Sequence, residues 1–249
     1  MIAFFTLVRK EITRVLRIWV QSIVPPVITG VLYFIIFGQI IGERVGHIGD
    51  VPYIRFIIPG MIMLSIITNA FTNVASSFFG NKFQKSIEEI LVSPMGHKTI
   101  ITGYCIGGVF RSLLVGTCIY LVSLIFEPYE CSHPLLAFVF AFLTALFFSL
   151  AGFFNGIFAK SFDDVAIVPE FIIRPMIYLG GVFYSVDMLP SFFKGLSLLN
   201  PIFYMVEGLR YSFLGQSILS PLYGISILLV AILLLFIINY RLLKHRVGF

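Results

Sequence analysis

Apolar residues gather along the chain into blocks of about 20, the length of a membrane-crossing helix, and polar residues collect in short segments between them. Residues 1–19 depart from that pattern. Phe4, Phe5, Val8, Ile12, Val15 and Trp19 recur at helical spacing, while Thr6, Arg9, Lys10, Thr13, Arg14 and Arg17 occupy the other side. This predicts an amphipathic helix lying in the membrane interface with its basic face toward the headgroups. The long charged region, with no small-residue cleavage pattern behind an apolar run, argues against a cleaved signal peptide.

Six crossings are predicted: Val20 to Gly42, Phe56 to Phe79, Thr99 to Phe126, Pro134 to Phe158, Val165 to Tyr184 and Pro221 to Tyr240. A polar loop, Glu43 to Tyr53, follows the first, and Glu127 to His133 joins the third and fourth as a helical hairpin. Residues 185–220 are apolar but interrupted by Pro190, Gly195, Asn200-Pro201, Gly208 and Gly215. They predict two short helices dipping into the membrane from outside, rather than another crossing. The fold class is therefore all-α integral membrane: six transmembrane helices, an interfacial N-terminal helix and a broken hairpin before the last span. The length of the chain leaves no room for a separate soluble domain, and no internal repeat marks an inverted-repeat transporter.

Composition agrees. The chain is 59% hydrophobic and 12% charged, with a mean hydropathy of +1.01, so it lacks the polar surface to cover a soluble globule. The net charge of +5 places cations beside the apolar blocks, as membrane orientation requires, and does not call for nucleic acid. Arg9, Lys10, Arg14, Arg17, Lys82, Lys85, Lys98, Lys160, Arg241, Lys244 and Arg246 fall on one side of the predicted membrane. Arg44, Arg55, Lys194 and Arg210 fall on the other, which predicts both termini in the cytoplasm. Three cysteines without CxxC spacing and four scattered histidines indicate neither a disulfide framework nor a metal site.

The chain has no G-x-x-x-x-G-K-[ST] phosphate loop, so it does not bind ATP in that way. G-x-S-x-G and H-E-x-x-H are missing as well. One cytoplasmic stretch stands out: Asn81 to Pro94 sets Lys82, Lys85, Glu88 and Glu89 against Ile87, Ile90 and Leu91, a short amphipathic helix ending at proline. From the residues alone it reads first as a solvated connector with paired charges, and second as a docking knob for a cytoplasmic partner.

The order of these elements, with the patterns Ser86-Ile-Glu-Glu-Ile-Leu-Val-Ser-Pro94 and Tyr178-Leu-Gly-Gly-Val-Phe-Tyr-Ser185, then Leu189-Pro190, Asn200-Pro201-Ile-Phe-Tyr204 and Gly208-Leu-Arg210, resembles the permease subunit of type-2 ABC exporters over essentially the whole chain. The resemblance implies a single transmembrane domain over 1–249, with 80–98 as coupling segment and 185–220 as extracytoplasmic hairpin. It implies a bacterial inner-membrane protein, non-catalytic itself and binding no cofactor. The implied assembly is a homodimer, or a pair of similar half-permeases, served by two separate ATPase subunits that carry ATP and Mg. Lys82, Lys85, Glu88, Glu89 and Leu91 would meet the ATPase, with Glu88 and Glu89 as principal contacts. The implied activity is outward transport of an amphipathic, lipid-like, drug or glycan-type substrate.

Charges inside predicted spans need partners, because a central Arg or Asp costs about 2.5–3.5 kcal/mol to insert. Glu170 and Arg174 stand at i,i+4, and Arg111 lies near the middle of the third span. They line a polar translocation path or form an internal ion-pair network. Glu207 and Arg210, at i,i+3 in the hairpin, are expected to pair as a local staple near the outer surface. Gly103 and Gly107, the Gly108/Ser112/Gly116 series, and Gly152 with Gly156 have the spacing of close helix contacts. The 28 Phe and 11 Tyr residues are expected mostly against membrane lipid. Two rival functions remain from the residues alone: a stand-alone ion-coupled transporter using Arg111, Glu170 and Arg174 as a charge relay, and a lipid-acting membrane enzyme, for which no loop-borne catalytic cluster is present.

Overall fold

A computed structural model describes residues 2–92, 95–215 and 220–245. Among the described residues the chain is all-α apart from a minimal antiparallel pair, β1 (His47–Ile48) and β2 (Val51–Pro52), in the first polar loop. Among the described residues, five helices are long and apolar enough to cross a membrane: Trp19–Val45, Tyr53–Phe83, His97–Phe126, Pro134–Phe158 and Pro221–His245. The first comprises α2 (Trp19–Tyr33), a π-helical segment Phe34–Ile41 and α3 (Gly42–Val45). The others are α4 (Tyr53–Phe83), α6 (His97–Phe126), α7 (Pro134–Phe158) and α12 (Pro221–His245).

The predicted crossing at Val165 to Tyr184 takes a different form. Its helix begins earlier and ends sooner, as α8 (Phe162–Val168), a π-helical turn Pro169–Ile173 and α9 (Arg174–Leu179). At 1.5 Å per residue it is about 27 Å long. Asp163, Asp164, Glu170 and Arg174 keep it below the apolar content of the five long helices. Residues 191–214 form two short helices, α10 (Ser191–Leu198) and α11 (Pro201–Leu214). Asn200 joins them, its side chain capping α11 through the Ile202 N–H while donating to the Met176 carbonyl of α9. Residues 216–219 of the predicted hairpin, Ser93-Pro94 of the predicted coupling stretch and Arg246 lie outside the described residues.

The bundle is built around α4. In its most apolar window 78% of the residues are buried, against 11% in the Trp19–Val45 helix and in α12. Helix α4 is thus the axis, and the other two are peripheral. Helices α6, α7 and α11 pack on α4, and the predicted small-residue series make this possible. A methyl at Gly152 would sit 2.4 Å from the Phe71 carbonyl oxygen of α4, and one at Gly108 would sit 2.4 Å from Ser149 Oγ of α7. Without a hydrophobic drive between helices in lipid, such close approach supplies the dispersion contacts that hold them together. Gly152→Val is expected to destabilise the bundle by about 1–3 kcal/mol, since the obstructing atoms are backbone. Gly195→Ala, where nothing lies within 4 Å of the added methyl, should be neutral or slightly stabilising. Thermal unfolding followed by circular dichroism in one detergent compares the two.

Helix α1 (Ile2–Arg17) forms as predicted, and of its apolar stripe only Val15 is buried in the bundle. The buried residues are Leu7, Glu11 and Val15, while Phe5, Leu16 and Trp19 are more than half or half exposed. The helix docks against α6 at Gly103 and Gly107, where methyls would lie 2.5 Å from Leu7 Cδ2 and 2.7 Å from Glu11 Cβ. The rest of the stripe, Phe4, Phe5, Val8, Ile12 and Trp19, stays partly or largely exposed on the bundle surface, as suits an apolar face lying against the membrane.

Candidate coupling site and cavity

Helix α4 ends at Phe83, and Lys85 turns the chain through a left-handed conformation (φ 60°) into α5 (Ser86–Val92). This short helix is the predicted amphipathic stretch. Ile87 is buried in a cluster with Leu7, Phe78, Ile100, Tyr104 and Leu243, whereas Lys85, Glu88 and Glu89 are exposed. Leu91 belongs to α5, but its side chain lies outside the described residues. Val92, which the sequence reading did not select, is 87% exposed and puts an apolar surface beside the two acids.

The base of α5 is fastened to four helices by a few polar side chains. Ser86 Oγ donates to the Asn81 carbonyl and to Asn81 Oδ1 (3.2 and 3.1 Å). Asn81 Nδ2 donates to the Ser77 carbonyl and the Tyr104 hydroxyl of α6, both at 2.9 Å, and Lys10 Nζ of α1 reaches Asn81 Oδ1 at 3.1 Å. Lys82 Nζ donates to the carbonyls of Ile157 and Ala159, each at 2.9 Å. Those carbonyls end α7, where the helix runs out of its own N–H donors. Lys82 therefore secures α7 to α4 rather than projecting toward a partner. In the next turn, Lys160 and Ser161 N–H groups bond Asp164 Oδ2, completing a capping box on α8 and holding the Asp164 carboxyl below its ordinary range.

A second network lies deeper, and sequence reasoning missed its centre. Glu11 is fully buried. Its carboxylate pairs with Arg14 at 3.0 Å and accepts from Ser77 Oγ at 3.0 and 2.9 Å, and Arg14 continues to Asn73 Oδ1 at 3.0 Å. One acid in an otherwise basic helix, three residues before an arginine, was the available signal.

A cavity of about 400 Å³ opens between α2, α4 and α9. Pro25, Pro26, Thr29 and Tyr33 line it from α2, Ser65, Thr68 and Asn69 from α4, and Arg174 and Tyr178 from α9. The helices on two of its sides each contain a π-helical segment, at 34–41 and 169–173. Such segments recur at functional sites because the wider turn frees backbone groups. Glu170 and Arg174 form the expected i,i+4 pair at 2.5 Å, but in the single chain their side chains are 45% and 58% exposed. Arg111 is elsewhere: it donates to the Ser22 carbonyl of α2 at 3.4 Å. Among the described residues it forms no ion pair with Glu170.

Glu207 and Arg210 depart from the expected surface staple. They do pair, yet their side chains are only 5% and 4% exposed. Arg210 also donates to the carbonyls of Gly181 (2.6 Å) and Phe56 (3.4 Å), with its guanidinium carbon 3.8 Å from the centre of the Phe56 ring. Gly181, at φ 72°, belongs to the turn after α9. One side chain thus clasps α11, the start of α4 and that turn.

An all-α bundle, a protruding amphipathic helix between its second and third long helices and a polar-lined cavity on one flank describe a membrane permease subunit. Residues 2–214 match the ABC-2 type transporter family, and the chain belongs to it. It is the membrane subunit of an ABC transporter, a permease-type chain whose partner is a separate ATP-binding subunit. Among similar proteins is the inner membrane transport permease YadH of Escherichia coli K12, 56% identical over 192 residues, covering 77% of this chain and 75% of that protein. Nodulation protein J of Rhizobium leguminosarum bv. viciae is 27% identical over 217 residues, covering 87% and 84%.

Proposed function

We propose that this chain is one half of a homodimeric, ATP-driven exporter in the bacterial inner membrane, with both termini and α5 in the cytoplasm. Two copies enclose the translocation path between their α2–α4–α9 cavities, and two ATPase subunits bind, one at each α5. Residues 1–249 act as one transmembrane domain. The observation that carries this reading is α5: Glu88, Glu89 and Val92 are presented outward, and Asn81 and Lys82 tie its root to α1, α4, α6 and α7. A push on α5 by a closing ATPase pair therefore reaches four helices at once. The π-helical segments beside the cavity are where the bundle can yield.

Arg174, with Thr68, Asn69 and Tyr178, gives the cavity hydrogen-bonding and cationic groups within apolar walls. Such a lining suits a cargo with a polar or anionic head and an apolar body: lipid-like, glycan-type or drug-like. The Glu170–Arg174 pair keeps the cationic group oriented at the cavity wall. Glu88→Arg together with Glu89→Arg is expected to lower ATPase binding by an order of magnitude or more and to abolish transport, leaving folding unchanged because both sites are solvated. Co-purification with the cognate ATPase and its turnover in proteoliposomes measure this; normal turnover in the double variant rejects α5 as the docking element. Cargo movement under a proton gradient without ATP would instead favour the ion-coupled reading, for which Arg111 and the Glu170–Arg174 pair are not brought together.

A further inference from the structure

A second furrow, of about 570 Å³, runs along the outside of the bundle between α1, α6, α7 and α12. Its walls are almost wholly hydrocarbon, with Phe4, Ile12, Ile106, Leu113, Leu146 and Phe236 among them. From Ile101 to Leu113 it follows α6 for about 18 Å, close to the ~15 Å depth of one leaflet in a hydrocarbon core ~30 Å thick. One end stops a helical turn from Lys98. That lysine is exposed, forms no ion pair among the described residues, and lies 5.8 Å from the centre of the Tyr240 ring, one turn along α12 from Phe236. His97 packs edge-on against the same ring, and Lys244 is exposed in the last turn of α12.

We propose that this furrow is a binding site for one anionic phospholipid, an acyl chain lying along α6 and the phosphate held at Lys98 beside Tyr240. The apolar walls match the tail in character and depth, and a lysine with an interfacial aromatic at the mouth matches the headgroup. The site bridges α1 and α12 through α6, so an occupied furrow braces the N-terminal helix against the last one. A contrasting furrow on the same side provides an internal comparison. It shares Leu113 and continues along α6 past Tyr120, away from Lys98, to Cys131 and Phe138; neither furrow has a lysine or arginine in its lining, but the first ends one helical turn from Lys98. The headgroup preference belongs to the Lys98 furrow alone.

The only tryptophan, Trp19, permits a direct test. In a Trp19→Phe background, Ile106→Trp reports on the Lys98 furrow and Phe138→Trp on the other. The protein is reconstituted in phosphatidylcholine vesicles containing equal fractions of brominated phosphatidylglycerol or brominated phosphatidylcholine, whose bromines quench a neighbouring indole. The Ile106→Trp reporter is expected to show about a five-fold preference for the anionic lipid, the scale of one basic residue at a charged surface. Lys98→Gln should remove the preference, and Phe138→Trp should show none. Equal quenching of Ile106→Trp by both lipids, or persistence of the preference in Lys98→Gln, overturns the proposal. No quenching by either lipid also overturns it, because the furrow is then covered by protein.

Discussion

Arg210→Ala is expected to destabilise the protein by about 3–5 kcal/mol, the range for removing one partner of a buried ion pair. The loss is larger than pairing alone explains. Without the guanidinium, Glu207 keeps a carboxylate at 4% residue exposure, and the Gly181 and Phe56 carbonyls lose a donor. Arg210→Lys should recover little, because a point ammonium cannot serve an acid and two divergent carbonyls while stacking on Phe56. By contrast, Glu207→Leu with Arg210→Met exchanges the pair for apolar groups of similar bulk and should restore much of the stability. Arg174→Ala, at a pair more than two-fifths exposed on both sides in the single chain, sets the scale for a weak case and should cost under about 1 kcal/mol. Melting temperatures of the four variants in one detergent test the ordering. If Arg210→Ala melts with Arg174→Ala, the clasp is not what holds that end together.

These contrasts show which parts of the protein are legible in sequence. The Pro134–Phe158 helix is bounded by His133-Pro134 and by Ala159-Lys160, and the predicted limits coincide with the observed ones. Its ends are local chemistry, a proline at the first turn and a charge at the last. The glycine series were legible too, since a missing side chain signifies close approach whatever lies opposite. The Glu170–Arg174 and Glu207–Arg210 pairs followed from helical spacing, but their burial did not. Burial depends on what the rest of the chain brings over them: the 162–179 helix leaves one pair open, whereas Phe56 and Gly181 enclose the other.

In helix α1 the amphipathic pattern was legible, but which residues the bundle would bury was not. In water, an apolar stripe points to the core. In lipid such a stripe can stay outside, and the buried face of α1 combines Leu7 and Val15 with Glu11, whose carboxylate finds Ser77 and Arg14. Phe5 and Trp19 face outward while Glu11 faces in. The role of Lys82 was hidden likewise, because its acceptors, Ile157 and Ala159, lie some 75 residues further along and meet it only once α4 and α7 pack as parallel neighbours with their C-terminal ends together. The π-helical segments leave no distinctive periodicity over five to eight residues.

Glu11→Ala should cost about 3 kcal/mol and, beyond that, separate ATP hydrolysis from transport. The carboxylate is the only acid that α1 places against α4, and it holds Ser77 and, through Arg14, Asn73. Ser77 lies one turn before Asn81, whose side chain anchors α5. Removing Glu11 strands the Ser77 hydroxyl and an Arg14 guanidinium that is only 28% exposed, so the penalty sits at the lower end of the buried-pair range. Glu11→Gln retains an acceptor for Ser77 but loses the charge opposite Arg14, and should fall between wild type and alanine. If α1 transmits motion from α5 to the bundle, Glu11→Ala lowers cargo moved per ATP hydrolysed, whereas ATPase binding, which the proposal assigns to Glu88 and Glu89, is retained. A variant that binds the ATPase, hydrolyses ATP and transports in the normal ratio would leave Glu11 with a purely structural role. Cargo flux and phosphate release from the same proteoliposomes separate the two.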